Sequence, residues 1–433
     1  MGKKVLIVGG VAGGASVAAR VRRLDESAEI IMFEKGPHVS FSNCSLPYHL
    51  SGIVEDSEKL VLMSPDIFKS RYNIEARVQQ EVIQINRDKK TITVKDLISD
   101  KTYEEGYDKL VLSPGASPIR PNLEGIDNSN VFTVRNVVDI ENINSYIKQK
   151  GMKDIAVIGG GFIGVEVAEN LKLANYNVTL VEFANQVMAP FDYDMAQILH
   201  KEMVDHGVEL ILDDGLSKIS DGYITTNSGR KIDAQAVVLA IGVRPETNLA
   251  KEAGLEIGET GAIKVDSNYL TSDRDIYAVG DAIEVYHRLL QKQTRLALAG
   301  PAQKQARAAA DHMYGIPNRN IGVIGSSSIH LFDLNAASTG LNARTAEQAG
   351  MMYDYVYLMP GDKVGLMPDS NPMHFKLVYE YPTGRILGAQ AIGKGNVDKR
   401  IDIIATMITM NGTLEDLKDL ELTYSPMLGT AKD

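Results

Sequence analysis

Residues 40–48 read Ser-Phe-Ser-Asn-Cys-Ser-Leu-Pro-Tyr, and Cys44 among them is the single cysteine of a 433-residue chain. A thiol can act as a nucleophile and carry a pair of electrons, but a free cysteine by default packs as a small, inert hydrophobe. Three features set this one apart. It follows directly on a glycine-rich strand–turn–helix–strand unit. Ser40 and Asn43 flank it with groups able to donate hydrogen bonds to a thiolate, the reactive form. Pro47 and Gly52 lie just beyond, so the chain bends near the sulfur instead of running on as a core strand. With no second cysteine, an intrachain disulfide is excluded.

Two units must position this thiol. In the first, Val5–Val8 is a short apolar run of the kind that forms a buried parallel strand. Gly9-Gly10-Val11-Ala12-Gly13-Gly14 follows, then a helix rich in Ala and Arg, then the strand Ile30–Phe33 with Glu34 at its end. This is the dinucleotide-binding order, with an acid about 20 residues on. Gly9 permits the tight turn, Gly14 lets the helix close on the strand, the helix N-terminal amides receive a pyrophosphate, and Glu34 accepts from ribose hydroxyls. Val11 stands where a second glycine is usual; taken alone, this unit is also compatible with a glycine-rich turn that binds nothing.

The second unit repeats the pattern with all three glycines. Ile155–Ile158 is the strand, Gly159-Gly160-Gly161-Phe162-Ile163-Gly164 the turn, Val165–Leu173 the helix, and Val178–Val181 the next strand, ending at Glu182. A carboxylate there accepts the 2′-hydroxyl of NAD and repels the 2′-phosphate of NADP. The following Phe183-Ala184-Asn185-Gln186 is neutral, so NADH is favoured and NADPH is the weaker alternative. Two dinucleotide units in one chain fit an enzyme that passes a hydride from nicotinamide to flavin.

The rest of the chain is consistent with this. Leu110–Gly115 ends Ser113-Pro114-Gly115, a crossing between domains, and Val237–Gly242 repeats the idea in the second unit. Ile276–Asp281 brings Asp281 straight after a strand and Gly280, where an acid either contacts a ligand or caps the next helix. Ala299–His312 reads as a helix whose positive N-terminal end suits negative charge on a reduced flavin. After a linker at 316–320 the texture turns to strands: Ile321–Ile324, Ser328–Phe332, Met352–Met359, His374–Tyr379 and Ile386–Ile392. Helices Lys399–Met410 and Leu414–Leu417 follow. A net charge of −11 argues against nucleic acid, and no apolar run is long enough to span a bilayer. No export leader and no metal-ligand spacing are visible, so the reading expects a cytoplasmic protein without a metal centre.

With both fingerprints, the Thr271-Ser272…Gly280-Asp281 stretch and the strand-rich third part, the chain resembles the pyridine nucleotide-disulfide oxidoreductases. The Ser40-Phe41-Ser42-Asn43-Cys44 stretch is similar to that of coenzyme A-disulfide reductases and NADH-dependent persulfide reductases, the single-cysteine branch. The resemblance implies an α/β fold with two Rossmann-like dinucleotide-binding domains, for FAD and NAD, and a C-terminal α+β dimerisation domain. The boundaries it implies are 1–118 with 246–318 for FAD, 119–245 for NAD(P)H and 319–433 for the homodimer interface. The FAD site then includes Gly9, Gly10, Ala12, Gly13, Gly14, Glu34, Lys35, Val82, Ser113, Pro114, Gly115, Gly280, Asp281 and Ala299. The NAD site includes Gly159, Gly161, Phe162, Ile163, Gly164, Glu182 and Gly242.

By the same resemblance Cys44 is the redox-active residue: NADH reduces FAD, the flavin passes two electrons to Cys44, and the oxidised form is a mixed disulfide with coenzyme A, or a persulfide. Ser16, Arg20, Arg23, Ser40, Asn43 and Lys432 fall at coenzyme A-contacting positions, and Tyr424, reaching over from the partner subunit, protonates the departing thiolate. Arg20 and Arg23 also read simply as a solvated helix face, and Tyr424 as a buried tyrosine with a satisfied hydroxyl. Two family tyrosines are absent: Leu428 and Met367 stand in their places, which leaves open a persulfide, polysulfide or bulkier disulfide as substrate. The rivals are an NADH oxidase or peroxidase that cycles Cys44 through a sulfenic acid, and a redox-sensing flavoprotein. The first glycine turn lacks the histidine of the peroxidase pattern.

Overall fold

The computed structural model describes residues 2–431, with the side chains of Gln149 and Lys150 excepted. The first nucleotide unit is a five-stranded parallel sheet in the order Ile276–Ala278, Lys109–Leu112, Lys4–Val8, Glu29–Glu34, Glu75–Val78. Its strands are unbroken apolar runs because both faces are covered. Val5 and Ile7 face the helices Ala12–Leu24 and Ala299–Met313 and pack with Val17, Ala18, Val21, Ala306, Ala309 and Ala310. The alanines let these two helices approach closely, and an ion pair of Arg20 with Asp311 at 2.6 Å joins them. Leu6 and Leu110 point the other way, onto Ile85, Ile92 and Val94 of a three-stranded antiparallel sheet.

The second unit repeats the plan: Glu209–Ile211, Asn177–Val181, Asp154–Ile158, Ala236–Leu239 and Val131–Thr133, all parallel. The two chain crossings between the units run side by side as the antiparallel strands Ala116–Pro118 and Val243–Pro245. The third part is a five-stranded antiparallel sheet, Ser327–Leu331, Leu334–Gly340, Ile386–Gly393, Met373–Glu380, Tyr353–Leu358. The helix Val397–Thr409 covers one face through Ile401, Ile404 and Ile408.

One core cluster ties the parts together. It joins Leu46, Leu50 and Leu60 of the cysteine segment to Val165, Ala168 and Leu171 of the second unit and to Ile329, Leu331 and Ala336 of the third sheet. A buried charge cluster adds to it: Lys376 of the third sheet lies 3.1 Å from Asp192 and 2.9 Å from Asp194, while Asp192 accepts from Gln390 Nε2 at 2.8 Å. Among the described residues no helix is long and apolar enough to cross a membrane.

From residue 321 on, three elements differ from the sequence expectation. Ile321–Ile324 is not a strand; Val323 makes a single bridge to His287, and Gly322 and Gly325 at φ +82° and +77° interrupt the extended run. The strand Leu334–Gly340 and the helix Ala343–Gln348 were not expected. Leu-Asn-Ala-Ala-Ser-Thr-Gly is poor in β-branched residues, and tertiary packing under the 397–409 helix overrides that weak propensity. The short helix is started by Asn342, whose side chain accepts the Thr345 N–H at 2.8 Å.

Candidate functional site

The two glycine turns are built alike. Gly9 and Gly159 sit at φ +90° and +109°, a region that favours glycine. A Cβ on Gly14 would lie 1.9 Å from the Gly9 carbonyl oxygen, and one on Gly164 1.9 Å from that of Gly159, so neither helix could close on its strand with a larger residue. Gly161, by contrast, has nothing within 4 Å of its Cβ position, which explains why the first unit tolerates Val11 at the matching place. Neither helix N-terminus has a side-chain cap or an acid in its first turn, so its amides are free for an anion. Glu34 accepts the Gly10 and Gly36 N–H groups at 3.0 and 2.9 Å; Glu182 accepts those of Gly160 and Ala184 at 2.5 and 2.7 Å. These bonds aim each carboxylate along its turn and leave lone pairs for a ribose.

A cavity of about 580 Å³ opens beside the first turn, a size that suits a cofactor. Gly9, Ala12, Gly13, Glu34, Lys35, Val82, Ser113, Pro114, Gly115, Gly280 and Asp281 line it, with Asn43 at its edge. Gly10 and Gly14 stand behind this wall, packed against Val39 and the Gly9 carbonyl. Ala299 is not on the wall; Ala302, one turn further along, is. Ser113 Oγ donates to the Val8 and Gly9 carbonyls at 2.9 Å, which holds the turn to its neighbouring strand. Burial pushes the Asp281 carboxyl up. Sequence reasoning missed Arg135 and Glu246, which line the same cavity; Arg135 donates to Ser117 Oγ at 3.0 Å, and Ser117 Oγ in turn donates to Glu246. The signal for Arg135 is its place two residues past the strand Val131–Thr133 and immediately before the helix cap Asn136.

Around the second turn, Gly161 and Ile163 are exposed, Phe162 is half-buried, and exposed Gly242 follows the strand paired to 154–158. Asp213 and Asp214 reach the Ala184 and Glu182 carbonyls with their N–H groups, and the Ser228 hydroxyl holds the Asp214 carboxyl down at about 2. The surroundings of Glu182 are therefore acidic.

Cys44 lies in a 3₁₀ turn, Asn43–Ser45, followed by a second, Pro47–His49. Its segment is anchored to both units: Ser40 N–H donates to the Gly10 carbonyl at 2.8 Å, and Ser51 Oγ donates to Asn170 Oδ1 at 2.7 Å. Cys44 is exposed, and among the described residues no group hydrogen-bonds its sulfur. The expectation that Ser40 and Asn43 favour a thiolate is corrected here. Neither side chain bonds the sulfur, and the thiol is pushed up, first by burial and then by the Glu166 and Asp281 carboxylates. The turn stands between two cavities, with Asn43 on the wall of the large one and Ser42 and Ser45 on the wall of a second, of about 250 Å³.

Of the remaining candidates, Ser16 and Arg23 have no partner among the described residues and Arg23 is exposed, whereas Arg20 is engaged by Asp311. Arg22 is structural: it donates to the Tyr72, Asp25, Glu26, Ala28 and Asn73 carbonyls. Tyr424 is exposed on a tail held to the third sheet by Asn396 Nδ2 donating to the Leu428 carbonyl at 2.9 Å. Within one chain Tyr424 is not among the groups that act on Cys44. Lys432 lies outside the described residues. Glu202, His206 and Asp333 bring possible ligand atoms within 4.8 Å of one another, a grouping the linear spacing does not reveal. Each is already engaged: His206 Nδ1 with the Glu202 carbonyl at 2.9 Å, the Glu202 carboxylate with the Asp333 N–H at 2.9 Å, and the Asp333 carboxylate with Lys394 at 3.5 Å.

Residues 3–306 match the family described as pyridine nucleotide-disulphide oxidoreductase, and residues 326–432 match its dimerisation domain. The coenzyme A disulfide reductase of Staphylococcus epidermidis is 33% identical over 431 residues, 99% of this chain and 97% of that one. Among solved structures, reduced CoADR-RHD of Bacillus anthracis superposes with a TM-score of 0.98 at 45% identity, covering 100% of this chain and 78% of that one. An NAD-dependent persulfide reductase from A. fulgidus gives 0.96 at 34%, covering 99% and 81%. The paired glycine turns, the cavity beside the first of them and the lone thiol next to Asn43 on its wall thus have their counterpart in a known lineage, and the chain belongs to the pyridine nucleotide-disulphide oxidoreductases, as an enzyme of that family.

Proposed function

We propose that the protein uses NADH to reduce the sulfur–sulfur bond of coenzyme A disulfide, or of a coenzyme A persulfide or polysulfide, at Cys44. The single observation that carries this reading is the position of the chain's one thiol: a turn tied to both nucleotide units, at the edge of the large cavity. The residues that would hold FAD in that cavity are Glu34, the uncapped amides of Ala12–Leu24 and the 113–115 and 280–281 loops. Bound there, the flavin supplies the two-electron relay between reduced nicotinamide and sulfur. The second turn would hold NADH, with Glu182 accepting from its ribose. The FAD unit is assembled from 1–118 and 246–318, the NADH unit from 119–245, and the homodimer interface from 319–433.

Cys44 as thiolate attacks the substrate's S–S bond, forming a mixed disulfide and releasing one thiol. Arg23, free of a partner, takes a phosphate of the coenzyme A nucleotide; Arg20 does so only by sharing Asp311. Ser16, Ser40 and Asn43 offer uncommitted polar groups along the way. Tyr424 of the partner subunit protonates the departing thiolate, and Lys432 is a basic contact to the substrate.

The test is NADH consumption with coenzyme A disulfide, with coenzyme A persulfide and with oxygen alone, in wild type and Cys44→Ser. Turnover on the sulfur substrates that falls roughly a thousandfold in the variant is the expected result. Turnover that matches oxygen uptake without any sulfur substrate would replace this reading with the NADH oxidase.

A further inference from the structure

Cys44 stands at one end of a coil of 3₁₀ turns over 42–52. Ser45, Leu46, His49, Leu50 and Gly52 donate their N–H groups to the Ser42, Asn43, Leu46, Pro47 and His49 carbonyls at 2.9 to 3.3 Å. Such a coil has poorer hydrogen-bond geometry than an α-helix and rarely runs this far unsupported, so its course is set by what holds its ends. The first nucleotide unit holds the near end, where the Ser40 N–H meets the Gly10 carbonyl at 2.8 Å. The second unit holds the far end from two helices. From Phe162–Leu173, Asn170 Oδ1 accepts the Ser51 hydroxyl at 2.7 Å. From Val137–Lys150, Asn144 Nδ2 donates to His49 Nε2 at 3.2 Å, and Glu141 Oε1 accepts the Ser57 hydroxyl at 2.6 Å.

These polar groups stand where apolar ones would pack more easily. Asn170 is fully buried on a helix whose Val165, Val167, Ala168 and Leu171 belong to the core. A buried amide needs partners at both ends, and Asn170 has them: its Nδ2 donates to the Glu166 carbonyl one turn back at 2.8 Å. The amide cannot turn over without setting two oxygens face to face. His49 is buried and fixed in the same way. Its Nδ1 donates to the Val54 carbonyl at 2.8 Å, which leaves the lone pair on Nε2 for Asn144. The Ser51 hydroxyl also lies 3.1 Å from the Tyr48 carbonyl, so the grip reaches back along the coil. What a fully partnered polar contact adds to an apolar one is register: Leu46 and Leu50 could slide on the helix, whereas Ser51 can meet Asn170 in one place only.

We infer that Asn170, with Asn144, is a positioning residue for Cys44: by gripping Ser51 and His49, the second nucleotide unit sets where the thiol stands beside the large cavity. This rests on the reading of Cys44 as the residue that takes electrons from the flavin. The helix that carries Asn170 begins at the second glycine turn, so one rigid element runs from the dinucleotide site to the thiol's coil. Asn170 is buried away from any ligand and acts only through Ser51. Its loss therefore leaves hydride transfer from NADH to flavin intact and slows the passage of electrons through Cys44 to a disulfide.

Stopped-flow absorbance of the flavin separates the two half-reactions in the flavin-loaded enzyme. In Ser51→Ala, bleaching by NADH keeps its rate within about twofold, while oxidation of the reduced enzyme by coenzyme A disulfide slows about tenfold. Ser51→Thr keeps the hydroxyl and recovers most of that rate. Asn170→Ala slows the same step, and the double variant is no slower than either single one, as two ends of one bond require. Cys44 is the chain's one cysteine, so alkylation by iodoacetamide followed by intact mass reports it alone. In the reduced protein alkylation is about fivefold faster in Ser51→Ala, because the freed coil opens the thiol to solvent. A merely structural bond would lower the melting temperature and move neither the ratio of the half-reactions nor the alkylation rate. Equal slowing of both half-reactions, additive effects in the double variant, or alkylation at the wild-type rate overturns the proposal. Ser51 is half-buried on a loop, so its two variants decide even if Asn170→Ala does not fold. Faster alkylation in Ser51→Ala without wild-type turnover on any sulfur substrate would overturn the substrate reading and leave Asn170 in its role.

Discussion

Glu34 and Glu182 each spend both carboxylate oxygens on N–H groups of their own turns, so each is aimed before any ligand arrives. This makes Glu182→Gln a clean probe: kcat/KM for NADH falls about tenfold and the NADH preference over NADPH narrows, read from steady-state kinetics with both cofactors. A second contrast separates the arginines. Arg23→Ala raises KM for coenzyme A disulfide about tenfold and leaves inorganic polysulfide unaffected, with Arg20→Ala showing a smaller effect because Asp311 already claims that side chain. Equal effects on both substrates would remove coenzyme A from the account. At this scale the sequence was legible where chemistry is local. The glycines, the acids at the strand ends and the lone thiol sit at short, fixed offsets. Glu246 was not legible, since only the pairing of Val243–Pro245 with Ala116–Pro118 brings it to the cavity. Ser40 and Asn43 were misread for the opposite reason: closeness in sequence did not bring their side chains onto the sulfur.

The fingerprint helices are closed against their strands by a single missing atom. Gly164→Ala places a Cβ 1.9 Å from the Gly159 oxygen, so the helix must shift. The expected cost is about 1–3 kcal/mol in urea unfolding, together with weakened NADH binding. Gly161→Ala meets open space at ordinary backbone angles and costs under about 1 kcal/mol, as the natural Val11 implies. Equal losses in the two variants would contradict the closure argument. Elements with continuous apolar runs and glycine turns were predictable from sequence to within a residue or two, as in Lys4–Val8 and Asp154–Ile158. Leu334–Gly340 was not, because its small residues are chosen by the helix packed on them and not by strand propensity.

Across the whole molecule, the third sheet does two jobs. Its inner side grips the second unit through Lys376, Asp192 and Asp194. Lys376→Ala leaves Asp192 buried without a counter-charge and is expected to destabilise by about 3–5 kcal/mol, seen as a lower melting temperature. Its outer strand exposes Tyr355, Val356, Tyr357 and Leu358, with Met359 and Leu366 beside them, a surface that suits the homodimer indicated by the match to the dimerisation domain. Val356→Glu with Leu358→Glu should halve the mass seen by light scattering and depress turnover, because Tyr424 is proposed to act across that interface. A fully active monomer would contradict it. The partition into two nucleotide units and a strand-rich third part was readable from the two fingerprints. The grip of Lys376 on Asp192 was not, since the two are brought together only by the docking of the third sheet on the start of the helix Tyr193–Asp205.

The claim on which the rest depends is that Cys44 forms the covalent bond to substrate. The direct measurement is intact mass after the reduced protein is mixed, without NADH, with one equivalent of coenzyme A disulfide. The account predicts a gain equal to one coenzyme A half, reversed by dithiothreitol and absent in Cys44→Ser, with one free thiol released. An unchanged mass, or a gain of oxygen alone, would contradict it.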